Sequence, residues 1–309
     1  MAGRGEGGKP MSARDHALVD LDARRLPSWP PALKPGRIRL PKLDPRARGM
    51  AEHLAIGVVK NLLQLQFLIE HFSGRSLRSI DPLVQKILAL GMYQLRHMPR
   101  LPAAAVVSES VEQTRRFGVE RAGGLVNAVL RNLLRGPEPT WPDEKAEPYQ
   151  YARKVLSFPP QVVEKLAGIL GLEGALALCR HDNAEPPVLV RLMRGRTIAD
   201  LAAEGVEASA HEAEGICVAR GARKGLLAKW ALEGVAQAQD ATSAAVVGGL
   251  DLTGVKTALD RCCGNGTKTL QLWERLGPEA RIDAMDLHAR RCRNLKSLLR
   301  HRQIGRAHV

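Results

Sequence analysis

Apolar residues recur at three- and four-residue spacing through most of the first 135 positions. In "DPRARGMAEHLAIGVVKNLLQLQFLIEHFS", Leu54, Val58, Leu62, Leu65 and Ile69 fall on one helical face. The Asp-Pro pair at its start suits a helix N-terminus. "SIDPLVQKILALGMYQLRHM" repeats the pattern with Leu83, Ile87, Leu90 and Leu95, and "PAAAVVSESVEQTRRFG" and "RAGGLVNAVLRNLLRG" add two more helices. A short helix is expected over 12–26 with Ser12 as N-cap, ahead of the proline-rich turn "PSWPPALKPG". The Gly-rich residues 1–10 are expected to be disordered, and 11–135 to form one all-α domain.

The texture then changes. Residues 136–150 hold four prolines and read as a linker. Within 151–239, "FPPQVVEKLAGILGLEGALALCRHDN" predicts two short helices. "PVLVRL", "TIADLAAEG" and "EGICVA" then predict strand, helix and strand, a small α+β subdomain. From 240 to 302 the order is a buried strand ("KTALDRC"), a helix ("KTLQLWERL"), a strand ("ARIDAMD") and a basic helix ("HARRCRNLKSLLRHRQ"). That order opens a doubly wound α/β sheet of Rossmann type. A sheet of two strands leaves an edge and apolar surface uncovered, so this domain is expected to be incomplete. "QIGRAHV" (303–309) carries neither periodicity and matches the translation of a common sequencing adapter, so an artefactual tail is expected there.

Charge narrows the partners. Forty-six Lys and Arg against 32 Asp and Glu give +14, a balance that points to a polyanion such as nucleic acid. From Leu287 onward there are seven Lys or Arg and no acid, and "LPKLDPRARG", "QTRRFGVERAGG" and "RNLLRG" add positive charge around the helical domain. The five cysteines form no CxxC pair, which gives neither a zinc site nor a disulfide framework and suits a reducing cytoplasm. No apolar run reaches the length of a membrane span.

The chemistry concentrates in "LDRCCGNGTKT" (259–269). Glycines between a strand and a helix let backbone approach a ligand, and the helix N-terminus adds positive potential. Asp286 ends the next strand, 26 residues after Asp260, where a carboxylate can accept ribose hydroxyls. The loop is neither a full GxGxxG nor a Walker loop, so a nucleoside cofactor and a structural corner both stay open. Cys262 and Cys263, neighbours at a strand end, point in opposite directions and are expected to pack rather than react.

These segments together resemble the RsmB/Sun family of ribosomal RNA cytosine-5 methyltransferases over about residues 12–302. "LQFLIEHFSGRSLRSIDPLVQKILALGMYQL", "PAAAVVSESVEQTRRFG" and "GLVNAVLRNLLR" resemble its NusB-like RNA-binding domain. "PPVLVRL" and "AQAQDATSAAVV" resemble the lead-in to its catalytic domain. Against the family's D-x-C-A-A-P-G-G-K-T loop, Asp260, Cys262, Gly266, Lys268 and Thr269 match, while Cys263, Gly264, Asn265 and Thr267 depart. The resemblance implies S-adenosylmethionine as cofactor, held by Cys262, Cys263, Gly264, Asn265, Gly266, Thr267, Lys268 and Asp286. It implies Asp260 and Lys268 around the donor's amino-acid end, Gly264 and Gly266 as points of close approach, and Asp286 on the ribose.

The implied partner is small-subunit ribosomal RNA and the implied reaction methylation of cytosine carbon 5, by a cytoplasmic monomer without metal. Family members take their nucleophile and a second cysteine from Thr-Cys and Pro-Cys motifs. Neither dipeptide occurs in this sequence, so no catalytic residue is assigned and the chain as written is expected to be inactive. The alternative is a NusB-like RNA-binding or antitermination module, with salt-sensitive binding by residues 40–135 and no catalysis. A dinucleotide oxidoreductase is disfavoured by the missing GxGxxG spacing.

Overall fold

The computed structural model describes residues 12–24, 42–302 and 307–308. The chain divides into two compact units, 1–184 and 185–309.

The first unit is helical: α1 (Ala13–Ala23), α2 (Pro45–Lys60), α3 (Leu62–Ser73), α4 (Pro82–His97), α5 (Ala103–Arg116), α6 (Gly123–Arg135), α7 (Pro148–Lys154) and α8 (Pro160–Asn183). Local chemistry sets the ends. Asp44 accepts from Ala47 N–H, and Asp81 from Leu83 and Val84 N–H, each before a proline at the first helical position. The continuous pattern over 44–73 is two helices, because Asn61 leaves helical backbone and its side-chain amide bonds back to Gly57 O at 2.8 Å. Helix α4 runs through the centre and is buried almost all round. Leu54, Val58, Leu65, Ile69, Ile87, Leu90, Val129 and Leu130 build the core around it, while Leu62 and Leu95 pack half-buried at its rim. Lys86 is fully buried on α4 and reaches Asp22 of α1 at 2.8 Å.

Two differences from the sequence expectation follow from packing. The 136–150 stretch lies against the core: Trp141 meets Phe67 edge-on at 5.4 Å, and Glu138 takes both arms of Arg96 at 2.9 and 3.2 Å. Helices α7 and α8 belong with the helical unit, so the division falls at 184/185, inside the 151–239 segment. Leu63 N–H donates to Ser157 Oγ at 2.9 Å and Gln64 to Val155 O at 3.0 Å, fixing α3 to that region. Gly171, at φ 71°, breaks α8 into the two helices the pattern predicts.

The second unit holds two sheets. Strands β1 (Leu189–Leu192), β2 (Glu207–Ala210), β3 (Ile216–Arg220) and β4 (Ala236–Ala238) form an antiparallel sheet in the order β2-β3-β1-β4. Helices α9 (Ile198–Ala202) and α10 (Lys224–Glu233) accompany it over a core of Val190, Leu201, Cys217, Ala219 and Trp230. After α11 (Ala241–Gly248) comes a parallel β–α–β unit: β5 (Thr257–Asp260), α12 (Thr267–Leu276) and β6 (Arg281–Ala284), followed by α13 (Ala289–His301). Strand β5 is not buried on both faces as its apolar run suggests, for Leu259 is 55% exposed. A two-residue β7 (Ala307–His308) pairs parallel to β6, within the tail whose sequence carries no strand pattern. A ladder is made by backbone groups, so two residues can pair without a side-chain pattern.

Candidate functional site

The parallel unit brings the sequence-predicted residues together at the C-terminal ends of β5 and β6. Past the last paired residues, Met285 N–H donates to Asp260 O and Cys263 N–H to Met285 O, both at 2.9 Å, so the ladder continues into the loop. Gly264 N–H then donates to Asp286 Oδ2 at 3.0 Å, tying the loop to the end of β6. Asp286 Oδ1 accepts from His288 N–H at 2.8 Å, and Arg291 lies 3.5 Å from Oδ2. The His288 N–H, then the Gly264 N–H and the Arg291 charge, hold the Asp286 carboxyl below its ordinary range.

The two glycines have different tasks. Gly264 has φ 56°, a left-handed backbone that favours glycine, and a Cβ there would meet open space. Gly266, at φ 88°, is filled from behind: a Cβ would lie 2.2 Å from Leu295 Cδ1 of α13. Helix α13 therefore closely approaches Gly266 on its Cβ side. Gly266 is also the N-cap of α12 and has no side chain to cap it, so the first-turn amides of Thr267, Lys268 and Thr269 are donors without a capping acceptor.

The cysteines divide. Cys263 is buried with Leu270, Ala284, Leu295 and Leu299, and burial, then Cys292, Asp260 and Asp286, push its thiol up to about 11. It is a wall residue and a poor nucleophile. Cys262 is exposed, contrary to the expectation that both cysteines pack. Adjacent residues leaving a strand alternate, and only one side is covered here. Asn265 and Lys268 are also exposed and Thr267 is half-buried.

Asp260 is half-buried and bonded to both ends of the loop. Its Oδ2 accepts from Thr269 Oγ1 at 2.7 Å and its Oδ1 from Cys262 N–H at 3.3 Å. Thr269, fully buried, is thus the partner that fixes the carboxylate. The sequence motif contains Thr269 but does not by itself reveal this role. The signal for it is D-x-C with a Thr nine residues after the Asp. The fit to a nucleoside-bearing donor rests on the open side of Gly264, the uncapped α12 amides and the charged Asp286 beside them.

The helical unit carries a cavity of about 790 Å³ between α5 and α6, lined in part by Ser108, Glu112, Arg115, Asn127, Arg131 and Arg135. Arg115 is held by Glu112 at 3.2 Å and Arg131 by Asn127 at 3.0 Å. Arg116, from the same basic run, faces inward to Asp15 and Glu109 at 2.7 and 2.8 Å and serves the fold. Part of the "LPKLDPRARG" run lies outside the described residues. On α13, Arg290, Arg291, Arg293, Lys296 and Arg300 are exposed. Among the described residues no group of three or more His, Cys, Asp or Glu side chains is placed to hold a metal ion, and no helix is long and apolar enough to cross a membrane.

The site thus sits on an α/β unit of Rossmann-like order that follows an all-α unit, its glycine loop tied to an acid at the end of the second strand. Residues 28–135 match the NusB family. The chain is 25% identical over 298 residues to the probable ribosomal RNA small subunit methyltransferase B of Bacillus subtilis strain 168, covering 93% of this chain and 65% of that protein. It is 30% identical over 273 residues to ribosomal RNA small subunit methyltransferase B of Pseudomonas putida KT2440, covering 86% of this chain and 61% of that protein. The crystal structure of PH0851 shares the fold with a TM-score of 0.62 at 18% identity, over 85% of this chain and 60% of that one. The chain is similar to these ribosomal RNA small subunit methyltransferase B proteins over most of its own length. It spans 61–65% of the length of these two curated relatives.

Proposed function

We propose that this chain carries the RNA-seating and methyl-donor-binding parts of an S-adenosylmethionine-dependent methyltransferase acting on carbon 5 of a cytosine in small-subunit ribosomal RNA. The observation that carries the donor reading is the Gly264–Asp286 tie beside open space at Gly264. S-adenosylmethionine would supply the electrophilic methyl group. Asp286 would orient the ribose through its remaining lone pairs. The loop backbone at Gly264 and the first amides of α12 would hold the rest of the donor. Asp260, locked to Thr269, keeps the strand end and helix start at one spacing. Carbon 5 of cytosine needs a thiolate added at carbon 6, and the family's Thr-Cys and Pro-Cys motifs do not occur here. Neither buried Cys263 nor Cys292 on α13 is assigned that task.

RNA is proposed to meet the basic faces of the protein, with phosphate neutralisation by Arg115, Arg131 and Arg135 at the α5–α6 groove. Isothermal titration with S-adenosylmethionine and with NAD tests the donor reading. Binding of the first alone, lost in Asp286→Ala, supports it. Binding of NAD, or of neither, overturns it. In the latter case salt-sensitive RNA binding without a donor, favoured by the net +14 and the arginine groove, becomes the function.

A further inference from the structure

A buried polar chain joins the antiparallel sheet to the helix that bears the donor loop. Arg191, on β1, is 7% exposed in a strand whose other residues are apolar. Its Nε donates to Gln239 Oε1 at 2.7 Å, and Gln239 Nε2 donates to Gln271 Oε1 on α12 at 2.7 Å. Gln271 Nε2 continues to Ala244 O on α11 at 2.9 Å. The Nη1 of Arg191 donates directly to Glu274 Oε2, also on α12, and Nη2 reaches Met193 Sδ at 3.7 Å. Arg275 adds bonds to Val247 O and, at 3.0 Å, to Leu250 O beyond α11. Gln271, Glu274 and Arg275 stand three and four residues apart, one side of the helix.

Apolar contacts tolerate small rotations and slides of a helix; a buried ion pair tied in by directed hydrogen bonds does not, even though the second Glu274 oxygen, 3.9 Å from Arg302 Nη2, takes no hydrogen bond. Such a network adds little net stability against an apolar replacement, and its best-attested use is to specify register. Turning α12 by one residue swings its side chains by about 100°, which would leave Glu274 and Arg191 buried and apart. Gln271 lies four residues from Thr267, about one turn or 6 Å along the axis, so register at the clamp is register at the loop.

We propose that Arg191 is a positioning residue for the donor loop: through Gln239, Gln271 and Glu274 it sets where α12 begins and so where Gly264, Gly266 and Thr267 stand. The proposal rests on the donor reading above for its consequence, not for its geometry. The test measures two quantities on the whole chain, the Kd for S-adenosylmethionine and the alkylation rate of exposed Cys262 by iodoacetamide, resolved by peptide mass spectrometry. Arg191→Met is expected to weaken donor binding about ten-fold or more and to shift the Cys262 rate several-fold. Arg191→Lys does not rescue, because an ammonium cannot serve Gln239 and Glu274 with the guanidinium fork. Arg220→Met, exposed on β3, changes neither quantity.

If Arg191→Met melts lower yet keeps Kd within about two-fold and the Cys262 rate unchanged, Arg191 merely stabilises and the proposal is overturned. If Arg191→Met does not fold, Gln271→Met, which removes the links to Gln239 and Ala244 but leaves Arg191 and Glu274 paired, must move both readouts in the same sense, and unchanged values overturn the proposal equally. If the parent chain binds no donor while the Cys262 rate still shifts in the variants, the positioning stands and the donor reading fails.

Discussion

Gly264 and Gly266 stand two residues apart in one loop and should respond differently to the same change. Gly266→Ala places a methyl 2.2 Å from Leu295 Cδ1 on backbone at φ 88°. The left-handed conformation costs about 1–2 kcal/mol for a non-glycine residue. Leu295 is fully buried, so it cannot swing into solvent, and overpacking adds about 1–3 kcal/mol. The expected loss is therefore roughly 2–5 kcal/mol, read as a lower denaturant midpoint with an unchanged slope. Gly264→Ala meets nothing within 4 Å, so it carries only the backbone term, about 1–2 kcal/mol. Its larger effect should be on donor affinity, since its methyl enters the open side of the loop. The double variant Gly266→Ala/Leu295→Ala should lose less than the sum of the two single losses, because the new methyl fills part of the vacated space. Equal stability losses in Gly264→Ala and Gly266→Ala, or strict additivity in the double variant, would refute this division of labour.

Other perturbations have defined outcomes. Lys86→Met removes a fully buried cation that pairs with Asp22 at 2.8 Å and should lower the urea midpoint of the helical unit, whereas exposed Arg24→Ala should change little. The Cys263 thiol, raised from 9.0 to about 11, keeps its proton to higher pH in the folded chain than in the unfolded one. Its contribution is therefore complete below pH 9.0 and is lost as pH climbs toward about 11, so melting temperature should fall across that window, and less so in Cys263→Ala. Removing Arg131 or Arg135 should lower RNA affinity for all sequences alike and reduce the slope of log K against log salt by about 0.7 for each single-strand phosphate no longer neutralised. An unchanged slope would move the RNA away from the α5–α6 groove.

Much of the architecture is legible in the sequence because it is written in periodicity. The faces of Leu54, Val58, Leu65 and Ile69, and of Leu83, Ile87 and Leu90, form the core of the helical unit, and the Asp-Pro pair at 44–45 is a real cap. The break at Asn61 is hidden because apolar spacing continues across it, and only a side-chain bond to Gly57 O reveals it. The 136–150 stretch resembles a free linker by its prolines, yet Trp141 and Glu138 dock it through Phe67 and Arg96, distant in sequence. At the loop, composition announces a glycine turn and an acid on the next strand. It cannot tell that Gly266 yields space to Leu295, 29 residues on, or that Arg191 connects to Glu274, because pairings at that separation depend on the fold.

The claim that the β5–α12 loop is a donor site is tested most directly by hydrogen exchange with and without S-adenosylmethionine. The account predicts added protection concentrated at the amides of 262–270 and 285–288, on both sides of the Gly264–Asp286 tie, and none in the helical unit. Saturating donor with no change at those amides would contradict it.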